Sequence, residues 1–467
     1  MQPTARPRPT LDSAQRHPAS FRDPESRVLV ADGRVLRALS AEAAARFDDV
    51  REFIKELEGE GLVVGSREAP DAPPPGFARM LEHDTLPFVS YPYEWPFALL
   101  RRAALLHLDI HRRALERGVT LADASAYNVQ FRATRPVFID VASFRPYDEG
   151  ELWAGHRQFC EQFLNPLLLA AQFGIAHHAW YRGSLEGIAT AALAALWPAR
   201  GWLSPRALVH VLLPASAERA AAKRADSALR TVRRSRLPKA GYAALLAQLR
   251  RWIAGLEPRG FSATQWAGYA QARSYSAEAL DAKRRVVAEF AARTRPSVLW
   301  DLGCNDGEFT EVALAHGAAS AIGFDADPGA LELACARAER AGLALLPLHQ
   351  DASNPSPAQG WLGRERAALA DRGQPDAVMA LAFEHHLALG RNLPLGEVAA
   401  FLLAVAPRGL VEFVPKADPT VQRMLALKGD IFPGYSEAAF SAALAAHARI
   451  VRADALPGGR KLFWFEA

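Results

Sequence analysis

Residues 298–310 read Val298-Leu-Trp-Asp301-Leu-Gly303-Cys-Asn305-Asp-Gly307-Glu-Phe-Thr310: an apolar strand ending in a carboxylate, then a glycine-bearing turn, then a helix. In an open α/β sheet such a turn lies at the carboxyl ends of the strands, where nucleotide-like ligands bind. Dinucleotide folds space their glycines as G-x-G-x-x-G, so that backbone amides can crowd a pyrophosphate. Here the order is Asp-x-Gly-x-x-x-Gly. An acidic group at that point suits a ligand that has a cationic centre and no phosphate.

The pattern at Asp301, Gly303, Asn305 and Gly307 resembles the first motif of class I S-adenosylmethionine-dependent methyltransferases. That family commonly has glycine where Asn305 stands, but asparagine tolerates left-handed backbone angles better than most residues. Asp325 and Asp351 close the next two strands. On that sheet edge Asp325 could accept both ribose hydroxyls and Asp351 the adenine amino group, with Asp301, Gly303 and Gly307 on the methionine side. Past the fourth strand come Glu384, His385 and His386, the candidates for taking a proton from a hydroxyl or amine acceptor, since imidazole titrates near neutrality. The competing account makes one histidine a helix-start residue and the other a core residue. Glu412 reads as a buried strand residue with an internal partner.

The elements around these residues alternate. Ser276 caps a helix ending before Pro296, a helix over 308–316 stops at Gly317, and strands are expected over 319–324, 377–382 and 409–414. A closing hairpin is expected from 449–453 and 461–465. Together with Glu384-His-His-Leu and Glu412-Phe-Val-Pro-Lys416, the interval from about residue 265 resembles a group of bacterial class I methyltransferases that includes nodulation-associated members. The resemblance implies a Rossmann-like seven-stranded sheet and S-adenosyl-L-methionine as cofactor. Trp266, Tyr269 and Tyr275, just upstream, could form an aromatic lid over a sulfonium, or pack the halves together.

The front half carries a second chemical set. A periodic helix over 97–117, stopped by Gly118, is followed by Asp123, Asn128, an apolar strand and Ile139-Asp140. The spacing is that of a kinase catalytic hairpin, in which the first Asp orients a hydroxyl and the Asn and second Asp bind magnesium. This part resembles the protein-kinase-like and aminoglycoside-phosphotransferase-like folds, which implies a divergent, α-rich α+β domain. Leu121 stands where that family has His, Val141 follows Asp140, and no glycine-rich loop is evident. Lys55 is the only lysine before residue 223 and lies in a helical run, so a phosphate-pairing lysine on a strand is missing. Asp32-Gly33 marks one hairpin and little more of an N-lobe. Tyr91-Pro-Tyr-Glu94-Trp95-Pro-Phe97 reads as a rigid turn packed on the core.

The chain has 467 residues, enough for two or three domains, and a mild net charge of +4 carried mostly by arginine, which argues little for nucleic acid. Residues 1–26 read as a disordered tail, 27–256 as the kinase-like domain, 257–275 as a linker or lid, and 276–467 as the methyltransferase domain. The apolar run 163–180 is broken by polar residues, which suits a buried helix and no membrane span. Three scattered cysteines point to a reducing cytoplasm and to neither disulfides nor a zinc site, so no metal is expected. The expected activity is methyl transfer to a small-molecule or glycan oxygen or nitrogen. Two other readings stay open: a bifunctional kinase and methyltransferase acting on a glycan or its phosphate, and a cofactor-binding scaffold with a pseudokinase recognition module. Acceptor and oligomeric state are not legible.

Overall fold

The structure is a computed structural model that describes residues 15–198, 204–221, 236–264 and 276–467. Its front half begins with β1 (Gln15–Arg16), β2 (Ser26–Ala31), β3 (Arg34–Leu39), β4 (Ser66–Glu68) and β5 (Arg79–His83), an antiparallel sheet in the order β1-β2-β3-β5-β4. The β2–β3 hairpin turns at Asp32 and Gly33, whose φ angles of 47° and 76° are those a two-residue hairpin turn demands. The other strands correct two expectations. Gln15 and Arg16 pair with Val30 and Leu29, so sheet pairing begins inside the segment expected to be a disordered tail to Ser26. The single expected hairpin is in fact part of a five-stranded sheet. Its remaining strands are short and charged, stitched by Arg67 to Glu82 and by Arg79 Nε to Glu68 at 2.9 Å, so they carry no apolar alternation to read.

Ser40 caps the helix Ala41–Gly59, whose Phe47, Val50, Ile54 and Leu57 recur at helical spacing and are buried against the sheet. The helix Phe97–Glu116 forms as expected, with Gly118 at φ 72° beyond its end. Two small antiparallel strand pairs follow: the hairpin β7 (Val129–Arg132) with β8 (Arg135–Phe138), and around it β6 (Val119–Leu121) with β9 (Phe144–Pro146). The apolar run after residue 163 holds the buried helix Asn165–Phe173, and among the described residues no helix is long and apolar enough to cross a membrane.

The back half is built on β10 (Leu299–Leu302), β11 (Ala321–Asp325), β12 (Leu345–His349), β13 (Ala377–Ala380), β14 (Arg408–Phe413), β15 (Arg449–Ala455) and β16 (Lys461–Glu466). They form one Rossmann-like sheet, β12-β11-β10-β13-β14-β16-β15, parallel except for β16, which pairs antiparallel with β14 and β15. The order reverses between β10 and β13, which opens a crevice at the carboxyl ends of the strands.

The halves share a hydrophobic core. Phe88 packs edge-on against Trp300 and Phe324 at 5.9 and 6.3 Å, and His178 stacks on His349 at 3.8 Å. Glu94, buried in the aromatic and proline-rich turn, takes Arg372 Nη1 at 2.7 Å and Gln350 Nε2 at 2.6 Å. A carboxylate this deep is tolerable because both partners reach it.

Candidate functional site

The turn after β10 is held open by three left-handed residues, Gly303 (φ 76°), Asn305 (φ 50°) and Gly307 (φ 78°). Asn305 adopts the angle expected of it. A Cβ on Gly303 would lie 3.0 Å from the Phe383 ring and strain a left-handed backbone, so a side chain there would have to push that ring aside. Asp301 is buried and accepts a hydrogen bond from Thr310 on the following helix. Burial raises its pKa to about 7, opposed by the Thr310 hydrogen bond and the Lys283 charge.

Asp325 ends β11 beside this turn. Asn305 N–H donates to its Oδ2 at 2.9 Å and Asp327 N–H to its Oδ1 at 2.8 Å. Burial pushes its pKa to about 6 against these bonds. Asp351 follows β12; Ser353 N–H and Oγ–H meet Oδ1 at 2.9 and 2.6 Å, and Arg391 meets Oδ2 at 3.0 Å. Burial raises the Asp351 pKa, but Ser353 and Arg391 outweigh it and hold the carboxyl below its usual value.

All three carboxylates line one cavity of 1060 Å³, together with Gly303 and Asn305, while Gly307 lies just behind its wall with Leu345. Phe309, Phe383 and Phe401 supply aromatic surface, and Ala382, in the strained left-handed region at φ 50°, shapes the edge after β13.

Of the three proton-taking candidates, the structure brings only His386 to the cavity. Its pKa falls to about 4, through burial first and the Arg460 charge second, so the ring is neutral at pH 7. Glu384 is corrected to a buried structural group: Val414 N–H donates to it at 2.6 Å and Tyr435 O–H at 2.9 Å. Its neighbour His385 is likewise buried, 4.1 Å from the His386 ring centroid and away from the cavity wall. The turn into the π-helical segment His386–Gly390 presents one histidine of the pair and hides the other. The aromatic lid candidates Trp266, Tyr269 and Tyr275 lie outside the described residues.

The front set also converges. Asn128 Nδ2 donates to Asp123 Oδ1 at 2.9 Å and to Asp140 Oδ2 at 3.4 Å. Arg37, from β3, places Nη1 2.8 Å from Asp140 Oδ1. Burial and the nearby Asp140 charge raise the Asp123 pKa to about 7. Two carboxylates, an amide and one guanidinium thus tie the sheet to the β7–β8 hairpin, and a divalent cation there would compete with Arg37 for Asp140.

No family model matches the chain. Nodulation protein NoeA of Rhizobium meliloti (strain 1021) is 46% identical over 452 residues, covering 96% of this chain and 95% of that one. The chain belongs to the NoeA family. The match with NoeA runs nearly end to end, so front and back halves occur together in both proteins. Among solved structures, a SAM dependent methyltransferase from Aquifex aeolicus is 14% identical, covering 43% of this chain and 98% of that chain with a TM-score of 0.32. Magnesium protoporphyrin IX methyltransferase (ChlM) from Synechocystis PCC 6803 is 16% identical, covering 44% of this chain and 94% of that chain with a TM-score of 0.30.

Three residues at the sites of this NoeA-family chain have partners far away in the sequence. Lys283 lines the cavity, bonded through Nζ to Glu412 at 2.6 Å and lying 4.5 Å over the Phe309 ring; Arg460 reaches the same carboxylate at 3.4 Å. Glu412 therefore has the internal partners expected of it. A signal for Lys283 existed: it shares a helical face with Leu280 and Val287, an apolar stripe where lysine is out of place. Arg37 had no comparable signal, since its partner lies in a distant segment.

Proposed function

We propose that this protein transfers a methyl group from S-adenosyl-L-methionine to an oxygen or nitrogen acceptor. The observation that carries the reading is the convergence of Asp301, Asp325 and Asp351 on one cavity at the carboxyl edge of the sheet. An anionic carboxylate has about four acceptor sites. The amides on Asp325 leave lone pairs on both oxygens for a vicinal diol, and Asp351 retains capacity for an amino donor. Asp301 and the aromatic faces suit a cationic ligand rather than a phosphate. The cavity is at the upper end of the range of about 300–1,000 Å³ usual for small-molecule sites, which leaves room for a small acceptor beside the cofactor.

Bound there, with Asp325 at its ribose, Asp351 at its adenine and Asp301 on its methionine side, the cofactor would supply a methyl group activated by its sulfonium, with a neutral thioether as the leaving group. The protein's part is to position the acceptor and receive its proton. His386 lines the cavity in its neutral form and can accept a hydrogen bond from the acceptor; burial and Arg460 make it a weak base, so its part is to orient the acceptor and take the proton late, once the new bond has made that proton acidic. Calorimetry with S-adenosylmethionine and S-adenosylhomocysteine tests the reading. Uptake by wild type, weakened at least about tenfold in Asp325→Ala, supports it; no uptake by wild type ends it.

A further inference from the structure

Away from the cavity, two π-helical turns meet in the front half. One, Cys160–Leu164, continues the short helix His156–Phe159; the other is Leu208–Leu212. π-Turns inside helices recur at functional sites because the extra residue re-aims side chains. These two bring His156, Cys160 and His210 together, with one ligand atom of each within 4.8 Å of the others. His156 and Cys160 share a face through their i,i+4 spacing. Cys160 and His210 are buried, and Trp153 and Trp252 flank the group at 5.4 Å from the His156 ring and 6.0 Å from the His210 ring.

Hydrogen bonding alone serves this trio poorly. His156 Nε2 lies 3.2 Å from His210 Nδ1 and 3.7 Å from Cys160 Sγ. That nitrogen carries either one proton or one lone pair, so it cannot donate to the histidine and accept from the thiol together. A cation at the centre would take a lone pair from all three. For a tetrahedral ion with metal–nitrogen bonds of about 2.05 Å and a metal–sulfur bond of about 2.3 Å, the ligand edges come to about 3.3 Å for N···N and about 3.6 Å for N···S. Both separations in the structure lie close to these edges.

We propose that His156, Cys160 and His210 form a zinc site that clasps the two π-turned helices, with water in the fourth position. One thiolate and two imidazoles select zinc over the hard, oxygen-seeking magnesium and calcium. Binding displaces the thiol proton to solvent, so each zinc taken up releases a proton. Three scattered cysteines do not signal such a site, because it needs only one of them and its third ligand comes from a distant helix.

The test uses the full chain, stripped with a chelator and then titrated with zinc and with cobalt(II). One zinc per chain is expected, with a rise in melting temperature, and the cobalt form should show a thiolate-to-metal charge-transfer band. Cys160→Ser removes that band. Because this variant could misfold, the double variant Cys304→Ala/Cys335→Ala, which leaves Cys160 as the sole thiol, must keep it. No zinc retained by wild type, or a band lost in the double variant while circular dichroism shows it folded, overturns the site.

Discussion

Asn305 donates its backbone N–H to Asp325 Oδ2 at 2.9 Å, which ties the glycine turn after β10 to the carboxylate that ends β11. One hydrogen bond thus sets both the shape of the turn and the direction of the carboxylate. Substituting Asp325 by Ala removes the acceptor for ribose and frees the turn. Charge-assisted hydrogen bonds are worth about 1.5–3 kcal/mol each, so cofactor affinity should fall by about 10–100-fold or more in calorimetry. Asn305→Gly keeps the left-handed angle and the backbone donor, and should bind within a few-fold of wild type.

Cofactor affinity should also depend on pH. Burial raises the Asp301 pKa to about 7 and that of Asp325 to about 6, and a cationic, hydroxyl-bearing ligand needs both ionised. Affinity should therefore rise as pH increases through 6 to 7 and level off above, with a slope of up to about tenfold per unit for each proton displaced. A flat profile between pH 5 and 8 would remove these two carboxylates from the binding account.

His386 and His385 should separate in their effects. Replacing His386 by Gln leaves cofactor binding within a few-fold but lowers turnover by about 10²–10⁴, the usual worth of a positioned base, once an acceptor is in hand. Replacing the buried His385 should instead lower the melting temperature. Equal loss of turnover in both variants at unchanged stability would contradict the assignment.

The Lys283–Glu412 pair is a stability element that also forms part of the cavity wall. Lys283→Met should destabilise the fold by about 3 kcal/mol, the low end for breaking a buried pair, because Arg460 remains 3.4 Å from Glu412. Adding Glu412→Gln should recover part of that loss in denaturant unfolding.

In the front half, the Asp123 pKa is raised to about 7, by burial first and Asp140 second. Below pH 4 the carboxyl is protonated in both folded and unfolded chains and the buried neutral form is at its most favourable. That contribution is lost as pH rises through about 7. Arg37→Met takes away the guanidinium beside Asp140, so it should destabilise the protein more at pH 8 than at pH 5. Equal loss at both pH values would show the trio to be electrostatically independent.

Much of the back half was legible because its signals are local. Asp301-x-Gly303, the carboxylate after each strand and the helix cap at Ser276 each depend on a few adjacent residues, and strand period and turn chemistry are written at that scale. The front sheet was mostly hidden: β4 is a short edge strand and β5 its short neighbour, held together by Arg–Glu pairs, and such pairs look like solvated loop sequence until their partners are known. Glu384 and His385 fall outside the cavity for a related reason. Adjacent residues after a strand share a sequence neighbourhood, but the π-turn at His386 sends one ring into the cavity and its neighbours into the core.

By itself the sequence determined the alternation of strand and helix, the left-handed turn at Asn305 and the acidic character of the sheet edge, because backbone sterics and hydrophobic period act between neighbours. Tertiary structure alone decided which histidine faces the cavity, that Lys283 and Arg460 neutralise Glu412, that Arg37 reaches Asp140, and that His156, Cys160 and His210 meet. Those are contacts between segments far apart in the chain, and they form only when burial brings them together and makes an unpaired polar group costly.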